Sequence, residues 1–227
     1  MTRRAKLDAV LPPAYSKGMS VTSRDRASKA SAAPARAVDG RHARSQSSRA
    51  KIVGAMLDLV GAGEVQPSAA QVAEMAGVGL RTVFRHFDDM ESLYREISEA
   101  IEARVVPILL KPFEADHWRA RIREMAVRRT EVFEAILPYR ISASLKRFQS
   151  PFLMQDYQRM LQLERGTIDA ALPPEVLADM TQVNMLYLAL NFQSWRSLRH
   201  DMELDVTEAR AVFTALVDAA LARIPGD

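Results

Sequence analysis

The stretch Ser68-Ala69-Ala70-Gln71-Val72-Ala73-Glu74-Met75-Ala76-Gly77-Val78-Gly79-Leu80-Arg81-Thr82-Val83-Phe84-Arg85-His86-Phe87 decides the fold. It reads as two short helices crossing steeply through a turn at Gly77-Val78-Gly79. Ser68 is a good N-cap, and Gln71 three residues on completes a capping-box pattern. Gly77 permits the left-handed backbone that stops a helix abruptly. Ala73 is small, as a close helix crossing requires. Val72, Val78, Val83 and Phe87 fill the angle between the helices. Val83 and Phe87 are four apart and share one helix face.

Leu80, Arg81, Phe84 and Arg85 fall on another face of that helix, with Thr82 and His86 beside them. A helix fits the DNA major groove, and the first residues of a recognition helix reach base edges. Arg81 is suited to guanine O6/N7 or a phosphate, Leu80 to a thymine methyl, and Arg85 to a base or a phosphate. Ser68, Thr82 and His86 suit phosphate oxygens. A helical corner with two solvated arginines is the plain alternative. What distinguishes the pattern is its combination of small residue, glycine, plugging residues and basic outer face.

Working outward, Ile52, Val53, Met56, Leu59 and Val60 fall at helical spacing, and Gly61 and Gly63 end that helix. After Phe87, Asp88 or Asp89 caps a further helix with Glu91 in its first turn. Its pattern runs through Leu93, Tyr94, Ile97, Ile101 and Val105 until Pro107 and Pro112. Beyond lie helices expected at about 115–136, 138–148, 152–171, 175–199 and 206–223, punctuated by prolines, with no period-2 run. The expected class is all-α. A domain boundary is expected at 104/105, with the helix-turn-helix in 45–104 and further helices in 105–227. Residues 1–44 are expected to be a disordered basic arm.

The net charge of +3 hides a division. Residues 1–48 carry ten Lys/Arg against three Asp/Glu, 49–100 five against eight, and 101–227 sixteen against seventeen. All the excess positive charge therefore sits in the arm, as attraction to phosphate requires. An Arg- and Ser-rich start also resembles a transit peptide, and Met19 is an equally good initiator. There are no cysteines, which excludes disulfides and thiolate chemistry. His42, His86, His117 and His200 are too dispersed for a His pair on one helix, so no metal and no cofactor is expected. No phosphate-cradling glycine loop, G-x-S-x-G or His pair with a carboxylate is present, so an enzyme is not expected. No apolar run approaches the roughly 20 residues of a membrane span, and a cytoplasmic location is the default.

The region 45–97 resembles the TetR family of transcriptional regulators. The matching residues are Val72-Ala73, Ala76-Gly77-Val78, Arg81-Thr82-Val83-Phe84, His86-Phe87 and Glu91 with Leu93; the helix from Arg49 to Gly63 matches in spacing. The resemblance implies a three-helix DNA-binding domain over 45–104 on a helical ligand-binding and dimerisation domain over 105–227, in a homodimer that binds a palindromic operator in double-stranded DNA and represses until a small-molecule effector releases it. Three positions depart from the common pattern. Gly79 stands where a Ser or Thr cap is usual, Phe84 where Tyr is common, and Met90 where Lys is frequent. Fewer phosphate contacts follow, and the arm is expected to compensate. Deleting 1–44 should lower affinity and flatten the dependence of log K on log salt.

In the C-terminal region, two apolar stripes are wider than one neighbour needs. Val183, Leu186, Tyr187, Leu190 and Trp195 make one; Ala209, Val212, Phe213, Leu216, Val217, Ala220 and Leu221 make the other. Leu186, Leu190, Val212, Phe213, Leu216, Val217 and Ala220 are the expected dimer interface, with service in the monomer core as the alternative. Phe133, Arg140, Phe148, Tyr157, Phe192 and Trp195 are the expected ligand-pocket residues, Arg140 being the polar anchor and an apolar or aromatic effector the expectation. Arg128-Arg129 reads as a solvated face. A helical protein–protein interaction module with an architectural helix-turn-helix is the competing function.

Overall fold

Two helix stops shape the N-terminal part. The first helix, α1 (Ala35–Gly61), ends where Gly63 takes φ +98°. There Gly63 N–H bonds Val60 O at 3.0 Å and Glu64 N–H bonds Leu59 O at 3.0 Å. The next helix, α2 (Ala69–Met75), ends the same way: Gly77 has φ +64°, Gly77 N–H bonds Glu74 O, and Val78 N–H bonds Ala73 O, both at 3.0 Å. This paired pattern satisfies the last carbonyls of a helix and needs a left-handed residue, which glycine supplies without strain. The Ser68–Gln71 capping box opens α2. A third helix, α3 (Leu80–His86), follows after one turn. Asp89 accepts from Ser92 N–H at 2.7 Å where α4 (Met90–Leu109) begins.

The computed structural model describes residues 35–225, with side chains from residue 44 onward. The expected arm at 1–34 lies outside the described residues. Residues 35–44 are not a disordered tail: α1 begins at Ala35. The sequence there lacks an apolar period, but its alanines and arginines have high intrinsic helix propensity. The chain divides at Ile97/Ser98 into two compact units, rather than at 104/105.

In the first unit, Ile52, Met56, Val60, Val72, Ala73, Val83, Phe87 and Leu93 are buried together as its core. The second unit contains α5 (Trp118–Lys146), α6 (Pro151–Asp169), the short α7 (Pro174–Leu177), α8 (Met180–Ala189), α9 (Phe192–Arg196) and α10 (Val206–Ala222). A π-helical turn, Ser197–Asp201, extends α9. The core lies where α10 packs on α5 and α8. Phe133, Phe192, Trp195 and Phe213 meet edge-on there, with ring centroids 5.6–6.2 Å apart, the arrangement the ring quadrupole favours. Among the described residues there is no strand, and the fold is all-α.

Prolines proved weaker breaks than expected. Pro138 sits inside α5, and Pro107 inside α4. Each removes one backbone donor without ending its helix at that point: α5 runs on from Pro138 to Lys146, and α4 ends at Leu109, two residues past Pro107. Capping residues were the stronger punctuation. Asp179 accepts from Thr181 and Gln182, and Asn191 accepts from Ser194 N–H at 2.8 Å, so the expected helix 175–199 is three shorter ones.

Arg128 and Arg129 are a further correction. They are buried rather than solvated, at 8% and 2% exposure. Arg129 donates to Leu190 O at 2.6 Å, at the end of α8, and to Thr167 Oγ1 at 2.7 Å. Burial pulls its guanidinium down to about 10, with Glu164 opposing. Arg128 is spent on the Lys111 and Pro112 carbonyls and on Glu124.

Candidate nucleic-acid interface

Eight residues, 80–87, decide which way α3 faces. Val83 and Phe87 are buried at 1% and 2% exposure and anchor the helix on its inner side. At 80–81 and again at 84–85 the helix faces outward. Leu80 and Phe84 are 45% and 49% exposed, and Arg81 and Arg85 are exposed as well. Positions 80 and 84, and 81 and 85, are four apart, so the four side chains form one continuous outer face. Neither Arg81 nor Arg85 makes an ion pair or hydrogen bond among the described residues. Thr82 and His86 are half-buried at its edges.

Ser68 is exposed, but its hydroxyl already bonds the Gln71 side chain at 2.7 Å and accepts from Gln71 N–H at 3.3 Å. Gly79 gives α3 no side-chain cap. His86 is held below its ordinary value, first by burial and then by Arg85 and Arg49. Its Nε2 is shut from solvent without a hydrogen-bond partner, and the lowered value disfavours the charged imidazolium there.

One residue that fixes this face escaped the sequence reading. Arg49 on α1 donates through Nη1 to His86 O, the end of α3, at 2.6 Å. Its Nη2 and Nε bind the Glu96 carboxylate on α4 at 2.8 and 3.2 Å. Its guanidinium lies 4.4 Å over the Phe87 ring. The side chain therefore ties the C-terminal end of α3 to the helices before and after it. An arginine followed by an apolar period gives no hint of such long-range pairing.

In the second unit, the expected pocket residues separate. Arg140, Tyr157 and Phe192 line one cleft of about 230 Å³. Phe133 and Trp195 are in the core at 3% and 0% exposure, and Phe148 is 76% exposed, so these three do not line it. The cleft is completed by Ala143, Ser144, Arg147, Leu153, Asp156, Gln193 and Arg196, none of which was expected. Arg147 lies seven residues after Arg140, two helical turns on, and that spacing was the available signal.

The expected dimer set also divides. Leu186, Leu190, Phe213, Val217 and Ala220 are 0–5% exposed in the single chain and have no area left to give a partner. Val212 and Leu216 are 39% and 45% exposed. Beside them on α10, Ala215 and Ala219 are exposed, and on the adjacent α8 so are Met185 and Leu188. The helices are apolar on two sides, and a stripe alone did not say which side faced inward.

Among the described residues, no group of three or more His, Asp or Glu is placed to hold a metal ion. No described helix is long and apolar enough to cross a membrane.

No protein-family model matches the chain, and no curated protein matches it. Several solved structures are similar. One is a TetR transcriptional regulator from Rhodococcus sp. RHA1, 17% identical, with 79% of this chain and 98% of that one covered and a TM-score of 0.47. Another, from Mesorhizobium loti MAFF303099, is described as belonging to the same family; it is 17% identical, with 79% and 97% covered and a TM-score of 0.47. The chain is thus similar to solved structures named as TetR regulators.

Proposed function

We propose that the protein is a DNA-binding transcriptional regulator of the TetR type, and not an enzyme. The observation that carries this is the outward face of α3. Two guanidinium groups with no protein partner among the described residues stand four residues apart on a helix anchored from behind. That is the geometry a major-groove reader needs: Arg81, near the helix start, reaches a base edge, and Arg85 one turn later reaches a base or phosphate. Leu80 and Phe84 supply apolar contact to thymine methyl groups. Thr82, Ser68 and His86 flank the site as hydrogen-bonding groups for phosphate oxygens.

The working unit we propose is a homodimer, because two-fold protein symmetry matches a palindromic operator. Its interface is the outer side of α10 and α8, on Val212, Ala215, Leu216, Ala219, Met185 and Leu188, in place of the buried residues expected from sequence. Repression, relieved by a small-molecule effector bound in the second unit, completes the proposal. No cofactor enters it.

A second function has one observation in its favour. Met75, Leu80 and Phe84 are each about half exposed, and exposed apolar side chains also suit protein docking. Selection of genomic fragments by the intact protein separates the two. The regulator predicts enrichment of palindromic sites that is lost with Arg81→Ala while helicity is retained. A docking module predicts no enriched site for either protein.

A further inference from the structure

The cleft in the second unit is richer in cationic than in apolar chemistry. Arg140, Arg147 and Arg196 line it, against one carboxylate, Asp156. Asp156 is already engaged, since Arg159 donates to its Oδ1 at 2.5 Å and Ser98 to its Oδ2 at 3.4 Å. Arg196 is also engaged, 3.2 Å from Asp201. Arg140 and Arg147 are different. Both terminal nitrogens of Arg140, and Nε of Arg147, are shut from solvent without a hydrogen-bond partner. The nearest counter-charge to Arg140 is Glu164 at 3.6 Å, beyond hydrogen-bond range, and the Glu164 Oε1 it faces is itself unpartnered.

Buried guanidinium donors left unmade are costly, and such an orphan calls for an explanation. Here aromatic rings position both groups. Arg147 lies 4.3 Å over Tyr157, and Arg140 lies 4.6 Å over Phe192 and 5.9 Å from the Tyr157 centroid. The stacking fixes the planes of both forks while the Arg140 Nη groups and Arg147 Nε lack a hydrogen-bond acceptor, which is the preorganisation a carboxylate receptor uses. Leu153 and Ala143 give the cleft an apolar wall. Its volume, about 230 Å³, is below the roughly 300 Å³ at which pockets for drug-sized ligands begin, which suits a small ligand.

We propose that this cleft binds a small single-ring aromatic carboxylate, whose carboxylate meets Arg140 and Arg147 and whose ring lies against Leu153 and Ala143. This adds an anionic group to the apolar or aromatic effector expected from sequence. Calling it an effector rests on the regulator function proposed above; its binding does not.

The test titrates the full chain with sodium benzoate, with benzamide as the uncharged isostere and sodium chloride at equal ionic strength, by calorimetry and thermal melting. Benzoate is expected to bind and raise Tm, with benzamide about tenfold or more weaker, because hydrogen bonds to charged partners are the stronger ones. Arg147→Met should lower benzoate affinity by about tenfold with helicity retained. Arg140→Met should do the same; should it fail to fold, with Glu164 left alone, Arg147→Met decides. Equal binding of benzamide and benzoate, unchanged benzoate binding by Arg147→Met, or no benzoate binding at millimolar concentration would each overturn the proposal. Failure here with operator binding intact removes only the ligand chemistry. Benzoate binding with no genomic site selected removes the regulator and leaves the anion site.

Discussion

Helices α3 and α10 present the same sequence problem with opposite outcomes. Each carries an apolar stripe, and each has a second face whose destination matters for function. In α3 the outer face is marked by two arginines, so Val83 and Phe87 are identified as inward without ambiguity. In α10 both faces are apolar. Ala209, Phe213 and Val217 are buried at 0–1% exposure, while Val212 and Leu216 on the other side are 39% and 45% exposed. The lesson is that periodicity locates a face, and only a contrast in chemistry between faces tells which one is inside.

The sharpest way to break this contrast is to truncate matched aromatic residues. Phe87→Ala and Phe213→Ala remove side chains with 2% and 0% exposure. Each should cost about 3–5 kcal/mol in urea denaturation. Phe84→Ala, on the outer face of α3, should change stability by less than about 0.5 kcal/mol. A large cost at Phe84 would mean that α3 is turned otherwise than described.

On the backbone between the two crossing helices, Gly77→Ala should cost about 1–2 kcal/mol. The added Cβ meets no atom within 4 Å, so the penalty is conformational, from φ +64°. Gly77→Asn, which tolerates that region, should recover part of it. Equal losses for both would point to crowding instead.

For α10, Leu216→Arg should leave the melting of the monomer nearly unchanged, within about 0.5 kcal/mol, yet shift light scattering from dimer to monomer. Retained dimers would move the interface elsewhere.

The smallest expected effect is one of pH. His86 is held below the ordinary histidine value of about 6.5 by burial, Arg85 and Arg49. The unfolded chain therefore binds this proton more readily than the folded one. Stability is complete above about 6.5 and falls as pH drops from there toward the lower folded-state value. His86→Gln should flatten that slope, as read from chemical denaturation between pH 7.5 and 5 on the order of the histidine range. An unaltered slope would place the titrating group elsewhere.

What was legible in sequence follows the same contrast. The stops at Gly63 and Gly77 and the capping box at Ser68 are local chemistry, written in neighbouring residues, and the structure has them where the sequence put them. The inward Val83 and Phe87 were legible for the same reason. Long-range pairing was not: nothing near Arg49 announces Glu96, and nothing near Arg128 or Arg129 announces the carbonyls that they bind. Pro138 misled because a proline removes one backbone donor without having to end the helix, and α5 runs on past it to Lys146. Phe133 and Trp195 were assigned to a pocket and lie in the core, because aromatic residues serve both and only packing distinguishes them.

The central claim is that Arg81 and Arg85 enter the major groove. Protection of guanine N7 from methylation, mapped on a selected operator, tests it directly because N7 lines that groove. The expected result is two protected patches separated by about one helical turn, ~34–36 Å, or a multiple of it, with the protection lost for Arg81→Ala at one guanine in each half. Full occupancy of the operator with every N7 still reactive would contradict it.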